Sequence, residues 1–185
     1  MQTTVIRSKR KSFSMQLKES GLIVRAPLWA NEREIEDFIL KHRSWIEKQA
    51  RKQAERKRRA AEAEPIGFDE MKRLAKQPTL YIPGRVEYYA RLIGVTYGRI
   101  TIRNQRSRWG SCSAKGNLNF NCLLMLTPPE VIDSVVVHEL CHRKEMNHSA
   151  RFYAEVLRVF PEYRRWDRWL KENGGVLMER AFGTA

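Results

Sequence analysis

His138-Glu139-Leu140-Cys141-His142 sets two imidazoles four residues apart, with a carboxylate directly after the first. On a helix these two rings lie on one face, a turn apart, and can converge on one ion. Glu139 sits about 100° round the same helix, where it reaches a water at the ion rather than the ion itself. Those residue types in that order suit metal-assisted hydrolysis. The cation acidifies the water, the carboxylate takes its proton, and the proton can pass on to the leaving group. His148 follows six residues after His142, which extends the pattern to HExxHxxxxxH. A continuous helix would carry position 148 about 120° off the ligand face. The spacing therefore predicts a helix that stops near Met146–Asn147, with Asn147 suited to a left-handed stop and Ser149 to capping the next helix. Three ligands leave the open position that catalysis needs, whereas a structural site is closed by four. At this composition HExxH arises by chance about one time in a hundred, and the third histidine makes coincidence rarer still. The expectation is one zinc per chain on His138, His142 and His148, with Glu139 as general base.

Other residues could line such a site. Arg106, Arg108 and Trp109 form a basic, aromatic loop that either packs under a sheet or lines the cleft and binds an anionic group, and Arg108 is the better candidate for the second role. Asn117–Cys122 alternates polar and apolar residues, so a strand carrying Asn119 and Asn121 would lie along the cleft and pair with an extended substrate. Tyr153 is a candidate oxyanion donor, but either Phe152 or Tyr153 could be core, and periodicity does not choose between them. Cys141 points away from the two ligands and reads as a small core residue. Cys112 and Cys122 lack the paired spacing of a cysteine metal site, and His42 belongs to an N-terminal helix rather than to the ligand set.

The elements that must position these groups can be read along the chain. Phe13, Met15 and Leu17 alternate with polar residues, and Glu19-Ser20-Gly21 turns the chain into a return strand, Leu22–Arg25. This is an N-terminal β-hairpin. Asn31 and Glu34 have the spacing of a capping box, and Ile35, Phe38, Ile39, Trp45 and Ile46 follow helical periodicity. Beyond Ala50 the apolar stripe ends but helix formers continue. Residues 65–78, with Pro65, Gly67 and Pro78, read as a connection. Val86, Tyr89, Ala90 and Ile93 predict a helix before Gly94, and Arg99–Arg103 a strand. Arg106–Cys112 reads as a loop. Thr127 and Glu130 frame the start of the metal helix, whose buried stripe is Ile132, Val135 and Val136. Helices follow near 150–160 and 162–173, the last ended by Gly174-Gly175. The organisation is thus a hairpin plus basic helix over 1–64, a connection over 65–78, a catalytic α+β domain over 79–175 and a tail over 176–185.

Lys and Arg total 35 against 21 Asp and Glu, a net +14 divided evenly between residues 1–64 and 65–185. Such a chain is drawn to polyanions. Arg51, Lys52, Arg56, Lys57, Arg58 and Arg59 make six of nine successive residues basic. They form either a solvated helix extension or an arm for a phosphate backbone. The longest apolar run is Cys122–Leu126, far short of the ~20 residues of a membrane span. With three cysteines and no apolar leader, the expected setting is cytoplasmic, with reduced thiols.

Arg108-Trp-Gly-Ser-Cys112, the Asn119–Asn121 strand, the HExxH pentapeptide and Asn147-His-Ser-Ala-Arg-Phe152, with Arg7–Lys11, Val24–Pro27 and Trp45-Ile46, together resemble the YgjP-like metallopeptidase family. That family is related to the SprT-like and WLM groups of zinc peptidases. The resemblance extends over about residues 5–173. It implies a zincin-like domain of a backing helix, a small sheet, the metal helix and a downstream third ligand, with zinc at His138, His142 and His148 and Glu139 as base. Metzincins share the histidine spacing but place glycine where this chain has Glu145. The implied substrate is a peptide or protein. Some members of the family act on UTP as pyrophosphatases, so a nucleotide hydrolase is the alternative, although no Walker-type loop is present. A third reading is a protease associated with nucleic acid through the Arg51–Arg59 helix.

Overall fold

The computed structural model describes residues 2–76 and 78–183. They form two compact α+β units that divide between Arg58 and Arg59.

The N-terminal unit is a three-stranded sheet covered by helix. Strands β2 (Ser14–Lys18) and β3 (Gly21–Pro27) pair antiparallel with Leu17 opposite Leu22, which is the predicted hairpin. Strand β1 (Thr3–Ser8) joins β3 in parallel, giving the order β1-β3-β2. Sequence pattern missed β1 because every one of its residues is exposed, so it shows no alternation to read. Its β-branched Thr3-Thr4-Val5-Ile6 run was the available signal. Gly21 takes a φ of 124°, and the Leu22 N–H beside it donates to the Gln2 carbonyl at 2.9 Å. A side chain at Gly21 would meet that carbonyl. Helix α1 (Glu32–Lys41) opens with the predicted capping box: Glu34 N–H donates to Asn31 Oδ1 at 2.9 Å and Asn31 N–H to Glu34 Oε2 at 2.8 Å. Leu22, Val24, Ala26, Ile35 and Ile46 form the core of this unit. Helix α2 (Arg43–Ala61) carries the basic run.

The second unit is built round one helix. α3 (Phe68–Lys76) occupies what was expected to be a bare connection, its Leu74 buried with Ile66. α4 (Pro78–Ile93) buries Ile82, Val86, Tyr89, Ala90 and Ile93, and stops at Gly94, whose φ of 74° is left-handed. Strands β4 (Ile100–Arg103), β5 (Gly110–Cys112) and β6 (Leu118–Asn121) have the order β4-β6-β5. Two corrections follow. Part of the expected 106–112 loop is strand β5. β6 is also the central strand, with both edges already paired, so an extended substrate cannot add to it as anticipated.

α5 (Pro129–Cys141) carries the metal motif and is buried on nearly every face, from Val131 through Val137 and again at Leu140 and Cys141. A helix buried on nearly every side belongs at the centre of a fold, and its polar Asp133 is paired there with Arg85 and Tyr89. α5 lies against α4, α6 (Ala150–Val159), α7 (Tyr163–Phe182) and β5. Thr127 does not cap it. The Thr127 hydroxyl instead donates to the Leu124 carbonyl at 2.7 Å, closing the 3₁₀ turn Cys122–Leu126. Gly174-Gly175 does not end α7, which runs on to Phe182 and buries Leu177. Gly174 is needed for close approach, because a Cβ there would lie 2.8 Å from Trp109 Cζ2. The expected tail is therefore largely helix, and positions 184 and 185 lie outside the described residues. Among the described residues no helix is long and apolar enough to cross a membrane.

Gly174→Val should destabilise the fold by roughly 1–3 kcal/mol through overpacking against Trp109. A lowered urea midpoint with an unchanged slope is the expected result.

Candidate metal centre

His138 and His142 project from the last turn of α5, and His142 closes that helix with αR geometry. The helix therefore stops at Cys141, earlier than the Met146–Asn147 stop expected from spacing. No left-handed residue is used, since among the described residues only glycines have positive φ. Arg143 fastens this helix end. Its Nε donates to the Thr96 carbonyl at 3.0 Å and its Nη1 to the Ala114 carbonyl at 3.1 Å. Lys144 bridges to Glu155 of α6 at 2.6 Å, and Arg158 holds the same carboxylate at 2.7 Å. The two cations hold the Glu155 carboxyl at about 2. His148 is thereby returned to the site just ahead of α6, where Ser149 Oγ accepts from the Phe152 N–H at 3.2 Å, the cap predicted from sequence.

The three imidazoles meet. One ring nitrogen from each lies within 4.8 Å of the others, and ring centroids are 4.8–5.0 Å apart. His142 Nδ1 is 3.0 Å from the Glu145 carbonyl, which can only accept, so Nδ1 carries the proton and Nε2 offers a lone pair. His138 Nδ1 lies 2.8 Å from the Tyr163 hydroxyl. His138 Nε2 and His148 Nε2 are 3.0 Å apart, close to the ~3.3 Å edge of a tetrahedron whose metal–nitrogen bonds are ~2.0–2.1 Å. Two acceptor nitrogens at this separation repel unless a proton or cation is shared between them. The donor set thus fits a divalent metal of the zinc type. Phe152, fully buried, lies 4.6–5.0 Å from each imidazole ring and forms the apolar floor. Burial pushes His138 down to about 3, with His142 and His148 adding to the effect, and burial also lowers His142. Neutral imidazole is the form that binds metal.

Glu139 is only 6% exposed, and among the described residues no protein group donates a hydrogen bond to its carboxylate. Burial pushes its carboxyl up to about 7, opposed in part by the charge of Arg108. The carboxylate lies directly over Gly110 of β5. A Cβ there would sit 2.6 Å from Glu139 Oε1, so a larger residue would push the carboxylate aside.

Two sets of groups were missed by sequence reasoning. Tyr163 is 25 residues from its partner His138 and lies in no local motif. The glycine of Arg108-Trp-Gly-Ser-Cys112 was visible, but its role depends on a contact with Glu139 that only the fold creates. The remaining candidates divide. Arg108 is exposed and its charge reaches Glu139. Tyr153 is 40% exposed and its ring lies 6.3 Å from that of His148, whereas Phe152 is the core residue. Trp109 packs on Gly174, away from Glu139. Asn119 pairs with Ser111, so strand alternation puts both on the face opposite Gly110 and Phe120, and Asn119 does not line the Glu139 side. Asn121 is fully buried. Its Nδ2 donates to the Gln105 and Arg108 carbonyls at 2.7 and 2.9 Å, and its Oδ1 accepts from the Leu123 N–H. It holds the Arg108 loop in place and does not face a substrate. Cys141 is fully buried, its thiol pushed up to about 12 by that burial. His42 bonds the Phe38 carbonyl within the N-terminal unit, outside the ligand set. In the basic run, Arg51 and Lys52 are exposed, Arg56 is half-buried, Lys57 pairs with Glu19, Arg58 with Glu55, and Arg59 reaches Asn173 at 2.9 Å.

The model of the YgjP-like family, metallopeptidase domain, matches residues 11–72 and 68–173, and the chain belongs to that family. Two solved structures are similar to part of it. The metallopeptidase zymogen abylysin from Pyrococcus abyssi is 24% identical with a TM-score of 0.45, covering 49% of this chain and 93% of its own. The metallopeptidase zymogen jannalysin from Methanocaldococcus jannaschii is 20% identical with a TM-score of 0.44, covering 49% and 94%. No curated protein matches the chain.

Two outcomes test the centre. Tyr163→Phe should leave the fold intact but weaken zinc binding about 10- to 100-fold, the usual effect of losing the partner that orients a ligand histidine. Competition with a chromogenic chelator measures this. In metal-free protein the folded state holds His138 near 3 against an ordinary 6.5, so the unfolded chain binds more protons between those values. Stability is present above about 6.5 and falls as pH drops toward 3. Thermal melts of His138→Gln should show a flatter fall over that range.

Proposed function

We propose that this chain is a zinc-dependent metallopeptidase, with His138, His142 and His148 as ligands and Glu139 as general base. The observation that carries this reading is the convergence of three imidazole nitrogens within 4.8 Å beside a buried carboxylate that no described protein group hydrogen-bonds. Membership of a metallopeptidase family supports peptide or protein as the substrate. Zinc, when bound, would supply Lewis acidity toward water and the scissile carbonyl. Glu139 accepts the proton of the attacking water and returns it to the departing amine. A carboxyl raised toward neutrality is suited to both transfers. Gly110 keeps the space that the Glu139 side chain occupies.

The substrate can be aligned by β5 in place of β6. Asn121 N–H donates to the Trp109 carbonyl and Ser113 N–H to the Asn117 carbonyl. Alternation then turns the N–H and C=O of Gly110 and Cys112 to the open edge. An extended peptide pairs there by strand addition, next to Glu139. Tyr153, exposed beside His148, is placed to donate to the developing oxyanion. The three free cysteines suit a reducing, cytoplasmic setting.

Glu139→Gln should fold and retain one zinc while losing hydrolysis by at least the ~10²–10⁴ that acid–base catalysis supplies. Mass spectrometry of an unfolded protein panel should show new peptide termini with the parent protein and none with chelator. Pyrophosphate release from UTP without new peptide termini would replace this reading with a nucleotide hydrolase.

A further inference from the structure

α7 presents two stripes. Tyr163, Asp167 and Lys171 recur every four residues on the side of the metal centre: Tyr163 bonds His138, and the charge of Lys171 acts on His138. Arg165, Arg168, Trp169 and Glu172 recur at three- and four-residue spacing about 150° round the helix from that stripe. With Trp166 and Pro128 they line a groove of about 480 Å³, within the range of ordinary ligand clefts and separate from the histidines.

The chemistry of this groove is aromatic and cationic together. Trp166 and Trp169 are half-buried, so each is anchored in the core on one side and reachable on the other. The Arg165 guanidinium lies 4.8 Å over the Trp166 ring. Arg168 is exposed and, among the described residues, has no hydrogen-bond or ion-pair partner. Arg59 extends the basic surface at one end, where it reaches the Glu172 carbonyl at 3.4 Å and Asn173 Oδ1 at 2.9 Å. Glu172 is the acidic residue of the lining.

We propose that this groove is a docking site for single-stranded nucleic acid, with bases stacking on the indole of Trp169 and the guanidinium plane of Arg165, and phosphates held by Arg168 and Arg59. Flat π-faces set among arginines are what unpaired bases and a phosphate chain require together. An acidic peptide would satisfy the arginines but leave the indoles unused. A duplex would offer phosphates but keep its bases stacked on one another. The net charge of +14 supplies the long-range attraction. Lys57 and Arg58 of the basic run face Glu19 and Glu55 much as Arg165 faces Glu162, so what sets the groove apart from the run is its pair of indoles.

The test is fluorescence anisotropy of a labelled 15-nucleotide oligothymidine with the full-length zinc-loaded protein, at 50 and 200 mM salt. Binding should be tighter than to a duplex of equal length or to polyglutamate, and should weaken steeply with salt. Trp169→Ala should weaken binding roughly 5- to 100-fold, the scale of one lost base stack. Arg168→Gln, an exposed change that leaves the fold unaltered, should reduce the salt slope by about one. Arg51→Gln with Lys52→Gln should leave affinity nearly unchanged. Zinc content and circular dichroism should match the parent in each variant. Equal affinity for polyglutamate would make this an acidic-polypeptide surface. Equal affinity for duplex would make it a phosphate patch without stacking. Absence of binding at 50 mM salt would remove the site. Each of these three results overturns the proposal, and none bears on whether the metal centre cuts peptides.

Discussion

The three imidazole nitrogens lie within 4.8 Å of one another, and the two rings at the end of α5 are each turned by a partner behind them, His138 by the Tyr163 hydroxyl and His142 by the Glu145 carbonyl. Their setting traces to the burial of α5. The helix is enclosed by its neighbours, so the rings at its end cannot swing into solvent, and desolvation, reinforced by the neighbouring imidazoles, keeps His138 neutral far below ordinary pH. The same burial raises Glu139, and raises Tyr163 behind His138, so that the tyrosine remains a neutral phenol available for hydrogen bonding. Two imidazoles held toward the uncharged form, a near-neutral carboxyl and a phenol are what remain when charge is expensive.

Charge is used instead at the margins, as a fastening. Arg143 ties the end of α5 to two carbonyls, and the Lys144–Glu155–Arg158 cluster ties the returning chain to α6. Arg85 with Asp133 and Tyr89 links α4 to the opening turns of α5. The Arg143 and Lys144 bonds lie where the backbone changes direction after α5, and the placing of His148 depends on that turn. Gly110 and Gly174 do the complementary work by omission: one clears room for the Glu139 carboxylate and the other for the Trp109 ring.

The clustering of the three histidines, the proposed base beside them and the Ser149 cap were legible because each rests on spacing along one or two turns of helix. The Asn31–Glu34 box was legible for the same reason. What escaped is what depends on chain distance. Tyr163 reaches His138 across 25 residues, and nothing local marks it. The two asparagines of β6 looked alike in sequence, yet Asn121 is consumed inside the fold and Asn119 lies on the far face of the sheet, because strand order and register belong to the tertiary structure. Gly174-Gly175 carried a true local preference for ending a helix, which tertiary packing against Trp109 overrides. The first strand shows no alternation because it buries nothing, and only its β-branched run marks it; the helix stop after the motif was misplaced by several residues because Arg143 and Glu145 end it through tertiary and carbonyl contacts, not through a left-handed cap.

X-ray absorption at the zinc edge tests the centre of this account most directly. Zinc-loaded protein should show three imidazole nitrogens at about 2.0–2.1 Å, one further light-atom scatterer and no sulfur. A sulfur shell near 2.3 Å, or a fourth imidazole, would mean a different ligand set or a closed structural site, and would contradict a catalytic centre on His138, His142 and His148.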